Sequence, residues 1–158
     1  MAHEYRATVK WTRGGATFTD QRYSRGHTWS FDGGITVPGS SSPLSVRLPY
    51  SVAEAVDPEE ALVAALASCH MLTFLYVAAK QGFVVEDYAD DAVGEMTKNE
   101  HGKLWVSKII LSPAITFAGE KRPTPEQLDG LHHLAHEECY IANSIKSEVV
   151  VQGAMSFV

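Results

Sequence analysis

Cysteine is scarce in this chain of 158 residues, with Cys69 and Cys139 its only two. They are too few for a disulfide scaffold and too far apart for a CxxC redox motif or zinc knuckle. Positive charge is also in short supply, since 13 Lys and Arg against 19 Asp and Glu leave a net charge of −6. That balance argues against a protein that grips a nucleic-acid backbone. The opening MAHEYRATVKW alternates in polarity and lacks the apolar core of a signal peptide, so export is not expected. Internal repeats are missing as well. What is present, 45% hydrophobic and 20% charged residues, suits a chain that buries a core. The length fits one domain spanning residues 1–158.

The first fifty residues read as β structure. Tyr5, Ala7, Val9 and Trp11 alternate with Glu4, Arg6, Thr8 and Lys10, the period of a strand with one buried face. Gly14-Gly15 marks a turn, across which Ala16–Thr19 is expected to pair back. His27–Phe31 is a second strand, Pro38–Pro43 a surface loop, and Leu44–Leu48 a short strand carrying Arg47. Asp57-Pro58-Glu59-Glu60 then offers a helix start, with Asp57 as N-cap and Glu60 three residues later. From Ala61 to Ala79 there is no Asp, Glu, Lys or Arg, and Gly82 stops the helix. Such a run approaches the ~18–20 residues of a transmembrane span. Ser68, Cys69, His70 and Thr73 dilute it, and a buried central helix without a membrane is the expectation.

From Asp91 the pattern returns to strands. Ala92–Lys98 and Lys103–Ile110 flank the turn Asn99–Gly102, and Ser112–Phe117 extends or bulges the second strand at Pro113. Thr124-Pro125-Glu126-Gln127 caps a second helix running to about Glu138, and Ser147–Val158 closes the chain as one strand. This order, without regular βαβ repeats, indicates an α+β domain with antiparallel sheets packed around two helices.

Taken alone, the cysteines read as unrelated structural residues, because free Cys is among the most buried types. His70 adjoins Cys69, yet neighbouring helical residues diverge by ~100°, so its imidazole points elsewhere and suits the core. A second reading comes from His132, His136 and Cys139, which share one helical stripe with zinc-compatible chemistry. No acidic residue stands between the histidines where HExxH would have one. A zinc site there would occupy the Cys139 thiol. A non-catalytic module that binds a small ligand is a third reading.

Asp57-Pro58-Glu59-Glu60, followed by Ala64-Ala65-Leu66-Ala67-Ser68-Cys69, resembles the helix signature of the OsmC/Ohr family. Glu59 precedes Cys69 by the family's spacing, and Cys139-Tyr140-Ile141-Ala142-Asn143-Ser144 is similar to its second cysteine segment. Tyr140 replaces the usual proline. The resemblance covers nearly the whole chain and reverses the structural reading of the cysteines.

What the resemblance implies is an intertwined homodimer and a thiol peroxidase acting on organic hydroperoxides. Cys69 is then the peroxidatic and Cys139 the resolving cysteine, with a lipoyl-type dithiol as reductant and no cofactor. A free thiol titrates near ~8.5, so a thiolate working at neutral pH needs a nearby cation. In the OsmC-type branch the arginine precedes the Pro-Glu-Glu segment, which points to Arg47; in the Ohr-type branch it lies earlier, which points to Arg25. Glu59 stands ~15 Å along an ideal helix from Cys69, too far to be its base. A bidentate pair holding the arginine is its expected role. Leu66, Leu72, Phe74 and Tyr140 are candidates to line a pocket for alkyl chains. Reversible disulfide chemistry in a chain without an export signal gives the cytoplasm as the expected location.

Overall fold

The computed structural model describes residues 2–158. The chain forms two compact units, Met1–Ala61 and Leu62–Val158.

The first unit carries an antiparallel sheet of β1 (Ala7–Lys10), β2 (His27–Phe31) and β3 (Thr36–Gly39) in sequence order. Ala16–Thr19 does not pair back on β1; the segment turns instead, and Phe18 joins an aromatic cluster. Trp11 lies 5.4 Å from Tyr23, and Tyr23 stacks on Phe18 at 4.7 Å. Pro38, expected in a loop, sits opposite Thr28 in the edge strand β3, where its missing N–H costs no ladder bond. Leu44–Leu48 is not a strand: Ser45 and Val46 both donate their N–H to the Ser42 carbonyl, closing a turn that leaves Leu44 almost fully exposed. No large apolar side chain of this unit is buried among the described residues.

The helix start was legible in the sequence. α1 spans Pro58–Lys80. The Asp57 carboxylate accepts from the Glu60 N–H at 2.8 Å, and the Glu60 carboxylate accepts from the Asp57 N–H at 3.2 Å. That reciprocal pair satisfies two of the donors a helix start leaves open. At the far end Gly82 adopts φ +80°, and the Phe83 N–H reaches back to the Ala78 carbonyl.

In the second unit α1 is followed by β4 (Val84–Asp90), β5 (Val93–Lys98), β6 (Leu104–Leu111) and β7 (Pro113–Ala118). Then come α2 (Pro125–Glu138), β8 (Glu148–Val151) and β9 (Ala154–Phe157). Two sheets result, β4-β7-β9 and β5-β6-β8. Both are mixed rather than purely antiparallel, since β8 runs parallel to β6 and β9 parallel to β7. The final segment is thus two strands in two sheets, changing over at Gln152-Gly153. Pro113 opens β7 in a different sheet from β6 instead of extending it.

Two apolar clusters fill this unit. Phe74, Val77 and Ala78 of α1 pack with Phe117 and with Leu128, Leu131 and Ala135 of α2. Leu66 of α1 packs with Ile109, Leu111 and Cys139, and Cys69 lies against this second cluster. α1 is long and apolar enough to cross a membrane by length and composition, and its Leu66, Phe74 and Ala78 are fully buried within the protein.

Candidate functional site

The two thiols meet. Cys69 projects from the middle of α1 and is half-buried, whereas Cys139 is the C-cap of α2 and 0% exposed. Both are free, and Cys69 packs against the apolar cluster that contains Cys139. Burial first, and the neighbouring Cys69 thiol second, hold the Cys139 thiol above its ordinary pKa, so it keeps its proton at neutral pH.

The chain after Cys139 folds back to hold that thiol. Its Sγ accepts the Ala142 N–H at 3.4 Å, from a 3-10 turn over Ala142–Ser144. Asn143 donates through Nδ2 to the Glu137 carbonyl at 2.8 Å and the Cys139 carbonyl at 3.0 Å. These bonds satisfy carbonyls that the end of α2 leaves open.

His70 and His132 form a second contact between the helices. His70 Nε2 lies 3.1 Å from His132 Nδ1, with the rings 13° from parallel and both side chains buried. Burial, the first cause for each, lowers both imidazoles to about 4, so they are neutral. His70 is therefore a core residue facing away from the thiol. His132 is committed to His70 and Cys139 to Cys69, and no three His, Cys, Asp or Glu side chains are grouped to hold a metal ion among the described residues. This overturns the zinc reading of His132, His136 and Cys139.

Arg47, Arg25 and Glu59 lie in the first unit. Arg47 stands in the exposed irregular segment before the Leu48-Pro49 bond, not on a strand, and no hydrogen bond or ion pair engages its side chain among the described residues. Arg25 is spoken for locally: Nη1 donates to the Gln21 and Tyr23 carbonyls, both at 2.6 Å, and the guanidinium covers the Tyr23 ring. Glu59, in the first turn of α1, pairs with neither arginine, so the expected bidentate pair is not formed. Glu60, its neighbour, supplies the capping carboxylate.

The family profile described as OsmC-like protein matches residues 51–153. The chain belongs to this family. Its structure is similar to that of an OsmC-like protein of unknown function from Vibrio cholerae, at 52% identity and a TM-score of 0.93, covering 97% of this chain and 100% of that one. An organic hydroperoxide resistance protein from Elizabethkingia anophelis shares the fold at 16% identity and a TM-score of 0.67, covering 100% of this chain and 99% of that one. So does an organic hydroperoxide resistance protein OsmC from Legionella pneumophila, at 18% identity and a TM-score of 0.65, covering 99% and 98%. No curated protein matches.

In this OsmC-like chain α2 still stops at Glu138 without a proline after Cys139, with Asn143 capping its end. Tyr140 is freed to point outward, 79% exposed. With Leu72, Thr73, Tyr76, Val77 and Leu134 it lines a cavity of about 780 Å³, to which Lys80 and Glu138 add charge of both signs. Thr73, which donates to the Cys69 carbonyl, links this cavity to the turn of α1 that bears the thiol. Leu66 and Phe74, the other two pocket candidates, are core residues at 0% exposure.

The sequence carried no signal for the His70–His132 contact. The two residues are far apart in the chain, and the stripe containing His132 suggested a ligand set within one helix. Only the packing of α2 on α1 reveals its true partner.

Proposed function

We propose that this OsmC-like chain is a thiol peroxidase that reduces organic hydroperoxides to alcohols. The observation that carries the reading is the contact between a half-buried thiol and a fully buried one that keeps its proton. The Cys69 thiolate attacks the terminal peroxide oxygen. An S–O bond forms as the O–O bond breaks, and the leaving alkoxide takes a proton to become the alcohol. The Cys139 sulfur then attacks the Cys69 sulfenic acid, forming the disulfide while the hydroxyl leaves with the Cys139 proton as water. A lipoyl-type dithiol reopens the disulfide by exchange and is itself oxidised to its cyclic disulfide.

Arg47 is the proposed cation for Cys69, because its guanidinium is uncommitted where that of Arg25 is held by its own loop. Glu59 is proposed to orient it once substrate is bound. A homodimer is part of the reading: the first unit exposes Tyr5, Val9, Ile35 and Leu48 and covers none of its sheet with an apolar core, which suits association with a second copy. The cavity beside Tyr140 suits an alkyl chain. The cytoplasm, whose reductants keep both thiols reduced, is the proposed location.

Cumene hydroperoxide with a lipoyl reductant tests the activity directly. Turnover should require Cys69, and one equivalent of peroxide should give an intramolecular disulfide. Cys69 that forms neither sulfenic acid nor disulfide with any organic hydroperoxide would falsify the proposal.

A further inference from the structure

α1 packs on α2 through Phe74, Val77, Leu128, Leu131 and Ala135. Among these apolar side chains lies a polar bond between His70 and His132, at 3.1 Å. Each histidine is tied in sequence to one of the thiols. His70 immediately follows Cys69. His132 precedes Cys139 by seven residues, two helical turns of ~3.6 residues, so both lie along one face of α2.

We propose that His70 and His132 are positioning residues, whose hydrogen bond sets the axial register of α2 on α1 at which Cys69 and Cys139 touch. The inference rests on the reading of these cysteines as a disulfide-forming pair. An apolar helix contact tolerates small slides, because its attraction has no direction. A buried imidazole pair does not, since only one setting brings the two nitrogens within bonding distance. A polar contact buried in an apolar seam is a known device for choosing a register.

The His132 ring is not free to follow a slide. The His132 ring lies 4.6 Å from the Phe74 ring, and the Gly153 backbone closes on it so tightly that a Cβ there would stand 2.3 Å from Nε2. Both imidazoles are neutral, so one donates and the other accepts. The charged and titratable groups acting on them are His136 on His70 and Asp129 on His132.

The test is the equilibrium of the Cys69–Cys139 disulfide with glutathione. One S–S bond forms in the protein as glutathione disulfide is cleaved to two thiols, and no hydroperoxide is needed. A chain without peroxidase activity therefore still tests the register, and loss of turnover with an unchanged equilibrium counts against positioning alone. His132→Leu should lower the equilibrium constant at least about tenfold. His132→Asn, which keeps a polar atom near the Nδ1 position, should restore it to within about threefold of the parent. In single turnover with hydroperoxide, His132→Leu should leave sulfenic acid formation on Cys69 unchanged and slow only disulfide closure. An equilibrium constant in His132→Leu within about twofold of the parent overturns the proposal. So does an equal loss in the Leu and Asn variants, which assigns the effect to packing, and so does failure of the parent to form the disulfide at all. If His132→Leu does not fold, His70→Leu and His70→Gln are compared in the same way, and equal constants for those two overturn it.

Discussion

Cys139 is wholly buried and packs beside Cys69, which is only half-buried. Exposure thus differs between the two thiols, and a solute meets Cys69 before Cys139. Cys139→Ser should leave Cys69 able to react once with hydroperoxide and then unable to close a disulfide. Intact mass after excess peroxide should show Cys69 carrying one, then two and three added oxygens, whereas the parent stops at the disulfide. The serine hydroxyl can still accept the Ala142 N–H, so the fold should persist.

Acid should destabilise the protein through the histidine pair. Both folded-state values lie near 4, below the ordinary 6.5, so between these limits the unfolded chain binds more protons than the folded one. Stability is therefore fully present above about pH 6.5 and declines as the pH falls toward 4, by up to ~1.4 kcal/mol per pH unit for each imidazole. Urea unfolding midpoints measured from pH 7 to pH 4 should fall along this slope. In His132→Leu the slope should be shallower, because one buried imidazole is gone.

How much of this was legible in the sequence depended on whether the determinant was local. The capped starts at Asp57 and Thr124 were readable, because each cap lies within one turn of the helix it begins. The cysteine motif was readable as a resemblance. β4 was missed because Glu86, Asp87 and Asp90 interrupt its apolar alternation and a register shift follows Val85. The last segment looked like one strand because its division comes from parallel partners, β6 and β7, much earlier in the chain. Leu44–Leu48 alternates like a strand but has no ladder partner, and the Ser42 carbonyl gathers it into a turn instead. The contact of His70 with His132 was illegible for the same reason: no local pattern encodes which helix faces which.

Gly153 should not tolerate alanine. A Cβ at this position would stand 2.3 Å from His132 Nε2 and 2.8 Å from its Cδ2, and that ring is held by His70 and Phe74. Gly153→Ala should cost about 1–3 kcal/mol, the usual range for overpacking a filled interior. Chemical denaturation measures it. A change of less than half a kcal/mol, on the order of a neutral surface substitution, would mean the ring can retreat.

Asp57→Ala should cost about 1 kcal/mol by removing the acceptor of the Glu60 N–H bond at 2.8 Å. Asp57→Asn, which keeps an acceptor oxygen, should lose much less. Glu59→Gln should cost less than about 1 kcal/mol, the helix-dipole share of a first-turn carboxylate, because Glu60 and not Glu59 makes the capping bond; a larger effect should fall on turnover. Unfolding midpoints and cumene hydroperoxide turnover, measured on all three variants, separate the cap from the carboxylate proposed to orient the arginine.

Arg47 and Arg25 should separate in the opposite senses. Arg25 donates to two backbone carbonyls of its own loop and lies 4.0 Å over the Tyr23 ring, so Arg25→Ala should lower the unfolding midpoint. Arg47 is exposed and its side chain engages no partner among the described residues, so Arg47→Ala should leave the midpoint within about half a kcal/mol of the parent. If Arg47 is the cation for Cys69, its removal should slow oxidation of Cys69 by at least about tenfold near pH 7. Stopped-flow oxidation against pH decides between them: a loss of rate in Arg25→Ala larger than in Arg47→Ala would transfer the role to Arg25.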